Sequence, residues 1–202
     1  AAGRVYDYNY CLGRGGITGI GFQDINGIAV GKNNKIYVLN RGGENIASVP
    51  WNKTGRGTRV GVFNLGNGQG EEEFLTEFGK YGDGDGEFIW PASIALDPEE
   101  RVFVSDEFLN SISIFDSEGQ FIKSWQGKKP DGSILHGPCG ITINDSQEIY
   151  IVESHGHRVS QFTLDGEFIR EWGSQGNEPG MLDSPWGIAI DLENNTYVAD
   201  HK

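Results

Sequence analysis

Short runs rich in Ile, Val, Phe and Tyr follow one another along the chain, separated by clusters of Gly, Pro, Asn, Asp and Ser. Such runs are the pattern of β-strands joined by turns. Four kinds of run recur in a fixed order. The first reads Asn26-Gly27-Ile28-Ala29-Val30, Ala92-Ser93-Ile94-Ala95-Leu96, Cys139-Gly140-Ile141-Thr142-Ile143 and Trp186-Gly187-Ile188-Ala189-Ile190. The second reads Ile36-Tyr37-Val38, Val102-Phe103-Val104, Ile149-Tyr150-Ile151 and Thr196-Tyr197-Val198. The third is Ile46-Ala47-Ser48-Val49, Ile112-Ser113-Ile114-Phe115 and Val159-Ser160-Gln161-Phe162. The fourth is Phe74 to Phe78, Phe121 to Trp125 and Phe168 to Trp172, with a degenerate copy at Tyr8-Asn9-Tyr10-Cys11-Leu12.

The first runs are spaced by 66, 47 and 47 residues, and the three full fourth runs by 47 and 47. The linkers keep the same register: Gly82, Gly86, Phe88 and Pro91 match Gly176, Gly180, Leu182 and Pro185. Each repeat therefore reads as a meander of four antiparallel strands. Its period is that of a β-propeller blade, about 40–50 residues. The expected fold is all-β, a propeller of four-stranded antiparallel blades with about four repeats present, forming one domain over residues 1–202. The strand count expects an incomplete ring: a fourth strand, three full blades, then two strands more. That ring is expected to be part of a six-bladed propeller, which needs roughly 280 residues, or to self-associate through its open blade edges. The alternative is a compact ring with an irregular last blade. The 19 surplus residues of the first repeat are expected between its third strand and Phe74, with a basic tip at Lys53 to Arg59 as a binding loop or a solvated hairpin end.

Composition narrows the partners more than the fold. With 16 Lys and Arg against 29 Asp and Glu, the net charge is −13. Such a surface repels phosphate backbones and anionic membranes, so nucleic acid is not expected as a partner. No apolar run approaches the roughly 18 residues needed to span a bilayer. Cys11 and Cys139 make neither a disulfide framework nor a CxxC motif. Three N-x-S/T triplets, at Asn52, Asn144 and Asn194, matter only in a secreted eukaryotic protein. Localisation is open, an extracellular or periplasmic setting being favoured.

The segment Gly86-Glu87-Phe88-Ile89-Trp90-Pro91-Ala92-Ser93-Ile94-Ala95-Leu96-Asp97 resembles the NHL repeat signature. So do Val152-Glu153-Ser154-His155-Gly156-His157-Arg158-Val159 and Trp186 to Asp191 with Tyr197-Val198-Ala199-Asp200. The resemblance runs from about Tyr8 to His201 and implies a propeller, usually six-bladed. It leaves function open, since NHL propellers include RNA-binding modules, protein-interaction and sensor domains, and zinc-dependent amidating lyases. In those lyases the zinc-binding histidines stand just before the inner strand. The matching column here holds Asn26, Ala92, Cys139 and Trp186, and of these only Cys139 is a metal ligand by type.

One column is polar in every repeat: Asn40, Asp106, Glu153 and Asp200, at the end of the second strand. A ring of carboxylates there could hold calcium or another divalent cation. The competing reading is a side-chain bond to the adjoining loop. With Arg41, His155 and His201 beside them, these residues are the candidate binding set. Asp83-Gly84-Asp85-Gly86-Glu87 resembles a calcium loop but keeps the spacing of the ordinary linker. Hydrolase, P-loop and metalloprotease motifs do not occur. The expected function is a non-enzymatic module that binds a protein or small-molecule ligand. The alternative is a metal-dependent lyase- or hydrolase-like propeller with its site at the central channel.

Overall fold

The computed structural model describes residues 14–15, 21–42, 57–68 and 70–201. After a short parallel pair, β1 (Arg14–Gly15) with β2 (Gly21–Phe22), three antiparallel four-stranded sheets follow in chain order. The first holds β3 (Ile25–Val30), β4 (Lys35–Asn40), β5 (Arg59–Asn64) and β6 (Glu73–Phe78). The second holds β7 (Pro91–Leu96), β8 (Val102–Asp106), β9 (Ser111–Phe115) and β10 (Phe121–Trp125). The third holds β11 (Pro138–Ile143), β12 (Glu148–Glu153), β13 (Arg158–Thr163) and β14 (Phe168–Trp172). A hairpin of β15 (Gly187–Ile190) and β16 (Thr196–Ala199) repeats the first half of the unit. The predicted inner strands and the three full outer runs, ending at Phe78, Trp125 and Trp172, are all strands. Among the described residues no helix is long and apolar enough to cross a membrane.

Each sheet is a blade packed face to face on its neighbours, so its middle strands are buried on both sides. All five residues of β8 and of β9 are buried. Alternation then divides them between two cores. Val102 and Val104 face the first blade, among Tyr37, Leu39, Val60, Val62 and Phe78. Phe103, Ile112 and Ile114 face the third, among Ile141, Ile149, Ile151 and Phe162. The outermost strand β10 alternates between half-buried and exposed, because only one of its faces meets a neighbour. Toward the axis the inner strands approach closely. A Cβ on Gly140 would lie 2.6 Å from the Trp186 carbonyl oxygen, and the Gly140 amide donates to that oxygen at 2.8 Å. The same column holds Gly27, Ser93 and Gly187, small residues throughout.

The first blade corrects one expectation. Its third strand is Arg59–Asn64, not Ile46–Val49, which lies outside the described residues. β4 pairs with β5 without interruption from Asn40↔Arg59 to Lys35↔Asn64. The physical reason is the aromatic at the strand's end. Phe63 is fully buried and takes the place of Phe115 and Phe162, pairing with Ile36 as they pair with Val102 and Ile149. It packs against Phe22 and Phe74, at centroid distances of 5.2 and 5.5 Å. Val49 offers no such anchor. The surplus therefore falls mostly before the third strand. Asn40 and Arg59 are 19 positions apart where Glu153 and Arg158 are 5, while Asn64 and Phe74 are 10 apart where Thr163 and Phe168 are 5. Arg59 is also no binding-loop tip. It is 4% exposed, donates to the carbonyls of Gly57 and Gly21, and meets Glu77 at 2.8 Å. The rest of the basic tip, Lys53 and Arg56 included, lies outside the described residues, as do Cys11 and the Tyr8–Leu12 segment.

Candidate functional site

At one end of the blades lie the linkers that enter each inner strand and the loops that join second to third strands. The polar column stands at this end, and each of its members reaches the same partner. Asn40 Oδ1 accepts from the Gln23 amide at 3.0 Å. Asp106 Oδ2 accepts from Ile89 at 2.8 Å and Trp90 at 3.0 Å. Glu153 Oε2 accepts from His136 at 2.8 Å, and Asp200 accepts from Asp183 at 2.9 Å. In every case a donor lies 17 positions earlier, in the linker entering the same blade. The column is a clasp between linker and second strand. Linker amides there have no strand partner, and a buried N–H needs an acceptor.

The clasp differs in cost from blade to blade. Asp106 is 1% exposed, and its second oxygen accepts from Phe108 and Leu109 at 3.1 and 3.0 Å. Burial pushes its carboxyl above the ordinary aspartate value, while the bonds from Leu109, Ile89, Trp90 and Phe108 pull it back. Glu153, fully buried, also takes Lys129 Nζ at 2.6 Å and Ser160 Oγ at 2.5 Å, with Arg158 Nε at 3.3 Å. Lys129 is itself 5% exposed and reaches Glu171 at 2.7 Å. It occupies the linker column that Gly82 and Gly176 fill in the neighbouring linkers. Asp200 is exposed, and the His201 amide donates to it at 3.1 Å.

Above the clasp, side chains from four units form a strip. The Arg41 guanidinium stands 4.3 Å from the Trp90 ring centroid, a cation–π contact. Trp90 meets the edge of Phe108 at 6.3 Å. Glu107, nearly buried, faces His155 Nε2 at 3.3 Å, and the His155 side chain is 56% exposed. The rings of His155 and His136 meet edge to face at 5.4 Å. Phe108 is 44% and Trp186 48% exposed. His157 faces inward instead: its Nδ1 accepts from the Ser184 amide at 3.2 Å and lies 3.8 Å from Asp183.

Of the candidate residues, Arg41 and His155 belong to this strip, His201 lies beyond it on the fourth unit, and Asn40, Asp106 and Glu153 are beneath it. Among the described residues no three His, Cys, Asp or Glu side chains form a group able to hold a metal ion. Cys139 is fully buried, and its thiol is pushed up to about 12, chiefly by burial, so it stays protonated at neutral pH. Sequence reasoning missed Trp90, Glu107, Phe108, His136 and Trp186. Their signal was positional: Trp90 stands where the other linkers carry Gly137 and Ser184, and Phe108 shares its column with His155.

No family model matches the chain. A stretch of 48 residues, about one repeat, is 46% identical to protein lin-41 of Caenorhabditis elegans, covering 24% of this chain and 4% of that protein. Among solved structures, a catalytically inactive virginiamycin B lyase from Staphylococcus aureus with quinupristin matches 88% of the chain at 21% identity and a TM-score of 0.55. A streptogramin B lyase matches 88% of it at 16% identity and 0.57. A nidogen/laminin complex matches 87% of it at 18% identity and 0.59. At these identities the likeness shows the fold alone, and that fold is the β-propeller. The chain spans 48% to 56% of the length of these three structures.

Proposed function

We propose that the chain is an NHL-type propeller and a non-enzymatic binding module whose ligand is a polypeptide segment, received on the linker-and-loop face. The observation that carries this is the division of labour on that face. The column carboxylates are occupied with linker amides, and the side chains left outward are the aromatic, His and Arg strip from Arg41 to Trp186. Tyr, Trp, Phe and Arg are the residues that anchor protein interfaces. Among the structures of similar fold, the nidogen/laminin complex is one with a protein partner. A peptide selected on the purified chain from a displayed library tests the reading. Phe108→Ala and Trp186→Ala are each expected to weaken it at least tenfold, about 1.4 kcal/mol. Leu192→Ala, at a turn on the opposite face, leaves it unchanged. Equal binding by all three variants refutes the reading.

A second reading, an enzyme acting at the channel, draws on the pairing of half-exposed His155 with nearly buried Glu107, an arrangement suited to proton transfer. Assay of quinupristin turnover tests it. No turnover is expected; turnover abolished by His155→Ala establishes the enzyme instead.

A further inference from the structure

At the opposite end of the blades, the ends of the inner strands line a cleft of about 320 Å³. That volume lies at the lower end of small-ligand sites, about 300–1,000 Å³. Its apolar lining is one column of the repeat, Val30, Leu96 and Ile143, contributed by three successive blades. A smaller cleft of about 80 Å³ continues it toward Ile190 of the fourth unit.

The charges around this cleft are unevenly committed. Lys32 Nζ is drawn to the Pro98 carbonyl at 2.6 Å, and its backbone amide donates to Glu100 Oε1 at 2.5 Å. Arg101 is turned to Asp97, Nε to Oδ2 at 2.5 Å, so that buried carboxylate is neutralised within its own turn. The carboxylate of exposed Asp145 stands on the rim with that of Glu100, of which Oε1 already accepts the Lys32 amide. Behind Gly31, the fully buried Tyr37 has a hydroxyl with no hydrogen-bond partner among the described residues, and burial first, then the charge of Glu100, raises its pKa. The chain's net charge of −13 adds a long-range attraction for cations.

We propose that this cleft is a second binding site, separate from the peptide face, for an organic ammonium with an apolar body. The body lies on Val30, Leu96 and Ile143, and the ammonium is held by Glu100 and Asp145. An apolar floor alone would not choose between an amine and an acid of the same length. Lys32 keeps its charge while bonded to a carbonyl, so two rim carboxylates stand against one ammonium, and the negative excess makes that choice.

The test is a titration of the isotope-labelled full chain with n-hexylammonium, hexanoate and 1-hexanol, followed by amide shifts. Hexylammonium is expected to move the amides of Gly31, Leu96, Ile143 and Asp145, and to bind at least about threefold more tightly than hexanoate. Glu100→Gln with Asp145→Asn together are expected to weaken hexylammonium at least about threefold, since an exposed charge pair is worth up to about fivefold. The same double variant leaves 1-hexanol binding unchanged, which also establishes that the cleft is intact. Hexanoate binding as well as hexylammonium, an unaffected double variant, or shifts confined to other residues each overturn the proposal.

Discussion

Replacing Asp106 by Ala tests whether the polar column is a clasp. The substitution removes two oxygens that accept four backbone N–H groups, from Ile89, Trp90, Phe108 and Leu109. Hydrogen bonds to a charged group contribute about 1.5–3 kcal/mol each, which bounds the gross loss at roughly 6–12 kcal/mol. Against this stands the cost of burying the carboxylate, several kcal/mol, visible as its raised pKa. Water reaches the amide of exposed Phe108 more readily than the half-buried linker amides of Ile89 and Trp90. A net loss of about 3–4 kcal/mol follows, a large share of the ~5–15 kcal/mol that holds a typical domain together. Urea unfolding followed by tryptophan fluorescence measures it, and Trp90, on the clasped linker, is placed to report. Asp106→Asn keeps one carbonyl oxygen, as Asn40 does toward Gln23, and is expected to cost less, about 1–2 kcal/mol. A folded Asp106→Ala variant within about 1 kcal/mol of the parent, with unchanged denaturant slope, would refute the clasp.

Three further predictions follow from the same geometry. Because Asp106 has a raised pKa when folded, the folded chain keeps a proton that the unfolded chain has released. Its contribution to stability is present below the ordinary aspartate pKa, falls as pH rises through the window up to the raised value, and is level beyond it. The parent-minus-Asp106→Asn difference in unfolding free energy, followed from pH 3 to 8, is expected to show that fall; a difference flat or rising with pH contradicts it. Lys129→Met leaves Glu153 buried without its ammonium partner and is expected to cost about 3 kcal/mol in the same urea assay, whereas a change under 1 kcal/mol shows that Ser160 and Arg158 suffice. Gly140→Ala drives a methyl to 2.6 Å from the Trp186 carbonyl oxygen and should cost about 1–3 kcal/mol, while Gly187→Ala meets only the Ala199 methyl at 3.5 Å and should fall within 0.5 kcal/mol; equal thermal midpoints for the two would contradict the close inner-strand approach.

The strands were legible because a blade repeats its environment. Residues such as Val104 and Ile151 meet the same kind of neighbour 47 positions apart, so the pattern exposes itself without a structure. It failed where the first blade breaks that period. Ile46–Val49 matched the third run in hydrophobicity and in distance from the second, yet the strand is decided by the core socket that Phe63 fills. Local composition carries no information about which of two apolar runs reaches a socket. The polar column was legible as a column and ambiguous in role, because a carboxylate awaiting a cation and one receiving linker amides look alike in sequence. The strip from Arg41 to Trp186 was legible only in part. Its members come from several columns, and what unites them is their nearness across successive blades.

The binding role stands or falls on where a ligand touches the chain. Hydrogen–deuterium exchange of the full chain, with and without a peptide selected on it, measures this directly. The account predicts slowed exchange in the loops 106–111 and 153–158 and in the linkers 88–91 and 135–138, with the turns 97–100 and 144–147 unchanged. Protection confined to those turns, with the linker-and-loop face unaltered, would contradict it.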